Sequence, residues 1–273
     1  MPESEKKRGA PDLLVIAFLA VSAILVWLEL RPPVISANET VNRLLISVIT
    51  RSLGAAIFTA LAVRLGFCIW KPRGSLRALA AVFPAFAVVI NNFPIIGLAT
   101  GAAYVTAPAW EVALFALSCL LIGLFEEMAF RGVFYLLILS TRCDSKKKIF
   151  FVTVASSAVF GAVHLFNLFA GAGVGATILQ VGYSFLIGGM CSIALLVTGS
   201  IWVPILLHAL YDFGGYLIPT LGDGIVWDAA TVAITAVLGT AVAVWMTMLL
   251  LRVTPQTADR LFPPETGEEA ENK

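Results

Sequence analysis

The sequence falls into apolar stretches of about 17–25 residues, and this constrains the fold more than any other feature. Eight can be placed, at about 12–30, 44–63, 78–98, 110–138, 149–166, 175–198, 201–218 and 229–251. A run of this length crosses a bilayer as a helix, because each backbone amide must find its partner within the segment. The expected fold is all-α: a polytopic membrane protein of about eight transmembrane helices. Composition agrees, with 59% hydrophobic and 13% charged residues, where a soluble domain is about a quarter charged. A formal net charge of +1 gives no reason to expect an acidic partner, and no nucleic acid is expected.

Pro- and Gly-rich breaks at 31–34, 71–75, 171–175 and 221–224 separate several of these runs. Trp27, Trp70, Trp110, Trp202 and Trp227 fall near proposed span ends, where amphipathic rings favour the headgroup level. With the N-terminus inside, fourteen of the eighteen lysines and arginines fall in inner segments. Arg31 and Arg43 fall in outer ones, and Arg51 and Arg131 lie within spans. That asymmetry places both termini in the cytoplasm. The organisation expected is a cytoplasmic N-terminal tail (1–11), one transmembrane domain (12–251) and a cytoplasmic C-terminal tail (252–273). The tail closes in an acidic, disordered end, and the first apolar run reads as a retained span rather than a cleaved signal. Cys68, Cys119, Cys143 and Cys191 have no CxxC spacing and read as inert thiols. No internal repeat is seen, which weighs against a carrier.

Within these runs sit ionisable residues that cost roughly 2.5–3.5 kcal/mol each at a bilayer centre when charged. The chain has two histidines, and both lie deep in apolar sequence: His164 in FGAVHLFN and His208 in VPILLHALYD. A third run carries Glu126, Glu127 and Arg131 in LFEEMAFRG. Groups this costly gather in a shared interior rather than scatter toward lipid. Glu127 and Arg131 are four apart and share a helix face, so they can pair. Glu126 points about 100° away from Glu127 and is left available as a general base. Phe160, His164 and Asn167 line one helical side, and His208 and Asp212 repeat the four-residue spacing, so Asp212 can orient His208. Arg51, inside the weakest span, is expected to pair with an interior carboxylate.

Depth is a weaker guide. Counted from the presumed cytoplasmic helix ends, Glu126 lies roughly 20 Å deep, His164 roughly 24 Å and His208 about 12 Å. The third value matches the others poorly. The 110–138 run is also long for one crossing and should tilt or emerge.

EEMAFR, FGAVH and HALYD fit, in order, an EExxxR, an FxxxH and an HxxxN/D motif. In these motifs the chain resembles the CPBP intramembrane proteases, the Abi group that includes the type II CAAX prenyl endopeptidases. The resemblance is strong over about 110–216 and elsewhere extends only to the eight-span outline. It implies a hydrolase of peptide bonds within the membrane, in a multi-pass protein of a prokaryotic plasma membrane. It also implies that Glu126 and His164 activate water, that His208 and Asp212 stabilise the oxyanion, and that Glu127 and Arg131 are a structural ion pair. One departure matters. Members with asparagine at the last position offer an amide N–H to the oxyanion, whereas an ionised Asp212 repels it. Asp212 must then be protonated, orient His208 or help hold a metal. No cofactor is required by the motifs, although Glu126, His164 and His208 would make a three-ligand zinc set.

The expected function is an endopeptidase acting on a membrane-associated peptide or protein, with prenylated CAAX-type substrates among the candidates. Two alternatives belong to other classes: a non-proteolytic immunity or scaffold protein of the same fold, and a proton-coupled carrier.

Overall fold

A computed structural model describes residues 33–141 and 144–263, together with 20, 21, 24, 27 and 28. The expected N-terminal tail, most of the 12–30 span, Cys143 and the 264–273 end lie outside these residues. The described residues are helical almost throughout. In order it forms α1 (Glu39–Arg64), α2 (Leu76–Asn91), α3 (Ile95–Thr100), β1 (Ala103–Val105) and α4 (Ala109–Glu127). A π-helical segment (Met128–Tyr135) then leads into α5 (Leu136–Ser140). The remainder is α6 (Lys146–Val163) with a 3-10 extension (His164–Leu168), α7 (Val174–Thr198), α8 (Trp202–Leu221), β2 (Gly222–Gly224), α9 (Ala229–Arg252) and α10 (Pro255–Asp259).

Five helical stretches are long and apolar enough to cross a membrane among the described residues: Glu39–Arg64, Ala109–Ser140, Lys146–Leu168, Val174–Thr198 and Ala229–Arg252. The protein is thus an integral membrane protein, but three of the eight expected spans do not stand as long apolar helices on this measure. The first is largely outside the described residues. The 78–98 run breaks after Asn91, with Pro94 opening α3, because a proline disfavours helix in the residue before it. The 201–218 run is the helix α8, whose hydropathy is lowered by His208, Asp212 and two prolines.

Local chemistry sets the boundaries. Asn38 caps α1 by accepting the amide of Val41 at 3.1 Å, and Ser145 and Asp228 cap α6 and α9 in the same way. At the other end of α7, Gly199 adopts φ +67 and closes the helix with a left-handed residue. Small residues let the site-bearing helices approach closely. A Cβ on Gly123 would meet the backbone of Ile205 and Ala209 at 3.0 Å, and one on Gly161 would meet the Val181 carbonyl at 2.8 Å. Helix α4 thereby packs on α8, and α6 on α7.

Two features were not anticipated. The LGDG break contributes β2, which pairs antiparallel with β1. Gly224 sits at φ +116, and a Cβ there would lie 2.1 Å from the Ala102 carbonyl, so the ribbon requires glycine. The segment after Arg252 is also not a tail until later. Helix α10 folds back, and Val253, Ala258 and Leu261 join the same buried core as the spans.

Candidate active site

Helix α4 and the π segment deliver the two glutamates and the arginine. In the π segment the backbone widens, and every residue from Met128 to Val133 is buried. Such widened turns concentrate at functional sites. The pairing expected from an α-helical spacing survives: Arg131 Nη1 donates to Glu127 Oε1 at 3.0 Å, and both side chains are 0% exposed. The guanidinium also stacks on Phe160, its Cζ 4.2 Å from the ring centroid. That contact is strengthened by the absence of water. Arg131 Nε and Nη2 have no hydrogen-bond partner among the described residues, where the aromatic face and one carboxylate oxygen receive the charge.

Glu127 does more than hold the arginine. Its Oε1 also lies 2.7 Å from Nδ1 of His208, so one oxygen joins the cation of the π segment to the α8 imidazole. The bond that orients His208 therefore comes from Glu127, across 81 residues of sequence, rather than from Asp212 one turn away. Asp212 faces the other ring nitrogen: Nε2 is 3.5 Å from Asp212 Oδ2 and 3.7 Å from Glu126 Oε2. Both imidazole nitrogens thus face carboxylate oxygens, an arrangement that two N–H donors satisfy. The separations at Nε2 exceed an ordinary N–H···O bond, so both carboxylates are ion-pair neighbours of that nitrogen and not its close hydrogen-bond partners.

Burial grades across the site. Glu127 and Arg131 are sealed, whereas Glu126, Asp212 and Arg51 side chains are each 15% exposed. Arg51, on α1, lies with Nη1 3.8 Å from Glu126 Oε1 and with Cζ 4.9 Å over the Phe125 ring. The expected carboxylate partner of Arg51 is Glu126.

His164 reaches the same neighbourhood from the end of α6, where the helix tightens into its 3-10 turn. Its Nδ1 donates to the Phe160 carbonyl at 3.0 Å, which leaves Nε2 as the acceptor. The Phe160 ring stands edge-on between the two histidines, 5.3 Å from His164 and 5.9 Å from His208. Phe160, expected as a supporting residue on the helical side of His164, is the packing centre of the site. Asn167 does not turn toward His164. Its Nδ2 donates to Gln180 at 2.8 Å and ties the end of α6 to α7.

The depth mismatch at His208 has a physical explanation. The turn before α8 is not a free surface loop: Thr198, Ser200 and Ile201 are buried by the protein itself. The 67–74 segment covers them, with Ile201 N–H donating to the Ile69 carbonyl at 2.9 Å and Gly74 N–H to Thr198 at 3.0 Å. Counting depth from residue 200 therefore starts inside the protein.

Sequence reasoning missed a cluster on the open side. Tyr183 and Tyr216 hydroxyls lie 2.9 Å apart, linking α7 to α8, and the Tyr183 and Tyr211 rings are 6.2 Å apart. Tyr216 follows Asp212 by four, a spacing legible in the sequence. Tyr183, on another helix, gave no local signal. Asn92, also missed, donates to the Tyr211 carbonyl at 2.7 Å from the end of α2.

Among the described residues no group of three His, Cys, Asp or Glu side chains is gathered so as to hold a metal ion. Glu127 engages Nδ1 of His208 and the Phe160 carbonyl engages Nδ1 of His164, so the Nε2 atoms are the positions through which these histidines would bind a metal in the expected zinc set with Glu126. Cys68, Cys119 and Cys191 are free thiols, the last two buried.

A family model described as type II CAAX prenyl endopeptidase, Rce1-like, matches residues 108–214. Comparison with curated proteins and with solved structures gives no match. The matched segment holds Glu126, Glu127, Arg131, Phe160, His164, His208 and Asp212, and leaves Arg51 outside. The match supports the resemblance carried by the three motifs: over residues 108–214 the chain is similar to this protease family.

Proposed function

We propose that the protein is an intramembrane endopeptidase that hydrolyses a peptide bond of a membrane-associated substrate. The reading is carried by one observation: a carboxylate, Glu126, faces the Nε2 of His208 at 3.7 Å within a bundle of membrane helices. Glu126 takes the proton of the attacking water, assisted by the Nε2 of His164. As the scissile carbonyl becomes tetrahedral, charge develops on its oxygen, and the Nε2–H of His208 is the donor placed to receive it. Glu127 and Arg131 hold His208 in that orientation. Glu126 then returns the proton to the departing amine, which balances the hydrolysis.

The chain crosses the bilayer eight times with both termini in the cytoplasm of a prokaryotic cell, and the substrate enters laterally from the cytoplasmic leaflet. Prenylated CAAX-type peptides are the first substrates to offer, given the family match. The deciding experiment reconstitutes wild type and Glu126→Ala in liposomes. Each receives a prenylated and an unprenylated peptide, with and without chelator. Cleavage by wild type alone supports the reading. Equal behaviour of the two proteins turns it toward a non-proteolytic scaffold.

A further inference from the structure

Three carboxylates converge on one imidazole here: Glu127 on Nδ1 of His208, Glu126 and Asp212 on Nε2. Arg131 is committed to Glu127, inside the sealed part of the site. Glu126 and Asp212, on its more open side, are like charges sharing the approach to a single nitrogen. Like charges held against one atom in a largely buried site repel each other. With three carboxylates around it, the imidazole and Arg131 leave one negative charge to be balanced by a further cation.

Arg51 stands where that cation is needed. It comes from α1, outside the matched segment, and its guanidinium is 3.8 Å from Glu126, with Phe125 beneath it. It pairs with Glu126, whose carboxylate shares the approach to His208 Nε2 with Asp212. We propose that Arg51 is a positioning residue that offsets the charge of Asp212, so that Glu126 and Asp212 can flank His208 without being driven apart. The proposal rests on the peptidase reading and assigns Arg51 a part in its rate rather than in substrate affinity.

The test is a double-mutant cycle between Arg51→Gln and Asp212→Asn in the reconstituted cleavage assay. Arg51→Gln is expected to lower kcat about 10- to 100-fold with KM little changed, the range for residues that orient catalytic groups. In the Asp212→Asn background, where the extra charge is gone, the same change should cost no more than about threefold. Arg51→Lys, which keeps the charge, should retain most of the wild-type rate. Equal losses in the two backgrounds overturn the proposal, as does a rise in KM at constant kcat or a lysine variant as impaired as glutamine. Should wild type cleave no peptide, the peptidase reading fails and the cycle is read from thermal unfolding in detergent. Arg51→Gln should then lower the midpoint and Asp212→Asn restore it, and absence of restoration overturns the proposal.

Discussion

Nδ1 of His208 lies 2.7 Å from Oε1 of Glu127, and the same oxygen accepts from Arg131 at 3.0 Å. One carboxylate oxygen therefore fixes both the guanidinium of one helix and the imidazole of another. Fully buried, this junction is a structural keystone and an orienting device at once.

Glu127→Ala should leave Arg131 as an uncompensated buried charge. Removing one partner of such a pair costs about 3–5 kcal/mol. The expected result is a much lower thermal midpoint in detergent, with reduced accumulation in the membrane. A variant as stable as wild type contradicts the shared role.

Glu126→Gln should behave in the opposite way. The side chain is partly exposed and its loss leaves the sealed pair intact. Cleavage should fall by about 10²–10⁴, the usual contribution of a general base, while insertion and unfolding temperature stay near wild type. Retained cleavage would assign the base elsewhere.

The contrast between these two glutamates was only partly legible in the sequence. Their 100° separation on a helix told them apart, and the Arg131 spacing said which one is held. What decided the orientation of His208 was a contact spanning 81 residues, which no local spacing encodes. The π segment was hidden for a related reason. MAFRGVFY reads as ordinary apolar helix, and only the surrounding packing widens it. The helices themselves were legible because lipid demands long apolar runs, whereas the buried turn at 198–201 became apparent only once the 67–74 segment was seen to cover it.

Gly188→Ala tests the packing around the cation. A Cβ there would lie 2.8 Å from Arg131 Nη2 and 3.0 Å from the Phe160 ring. Overpacking of this kind costs about 1–3 kcal/mol. Because Phe160 also touches both histidines, activity should drop along with stability. A fully active variant of unchanged midpoint would show that the stack is not tight.

Asp228 supplies a pH signature outside the spans. Its carboxylate accepts the amide of Thr231 at 2.7 Å at the head of α9, and this bond holds its proton affinity below the ordinary aspartate value. A depressed folded-state value adds stability above the unfolded value and loses it as pH falls through the folded one. Asp228→Ala should therefore unfold at a lower temperature near neutral pH, and the gap to wild type should narrow below about pH 4. A gap that persists unchanged in acid points to side-chain packing instead of the cap.

The β1–β2 ribbon joins the start of α4 to the finish of α8, the two helices that carry the glutamates and His208. At a rise of ~1.5 Å per residue, Glu126 stands roughly 26 Å and His208 roughly 20 Å from that clip. Helices pinned at one extremity can part only by scissoring, with the greatest travel at the unpinned extremity. On the proposed reading, a polypeptide threading between them would have to arrive from the side opposite the ribbon and open the close contact of Gly123 with Ile205 and Ala209, and a disulfide bridging those extremities would lock the door.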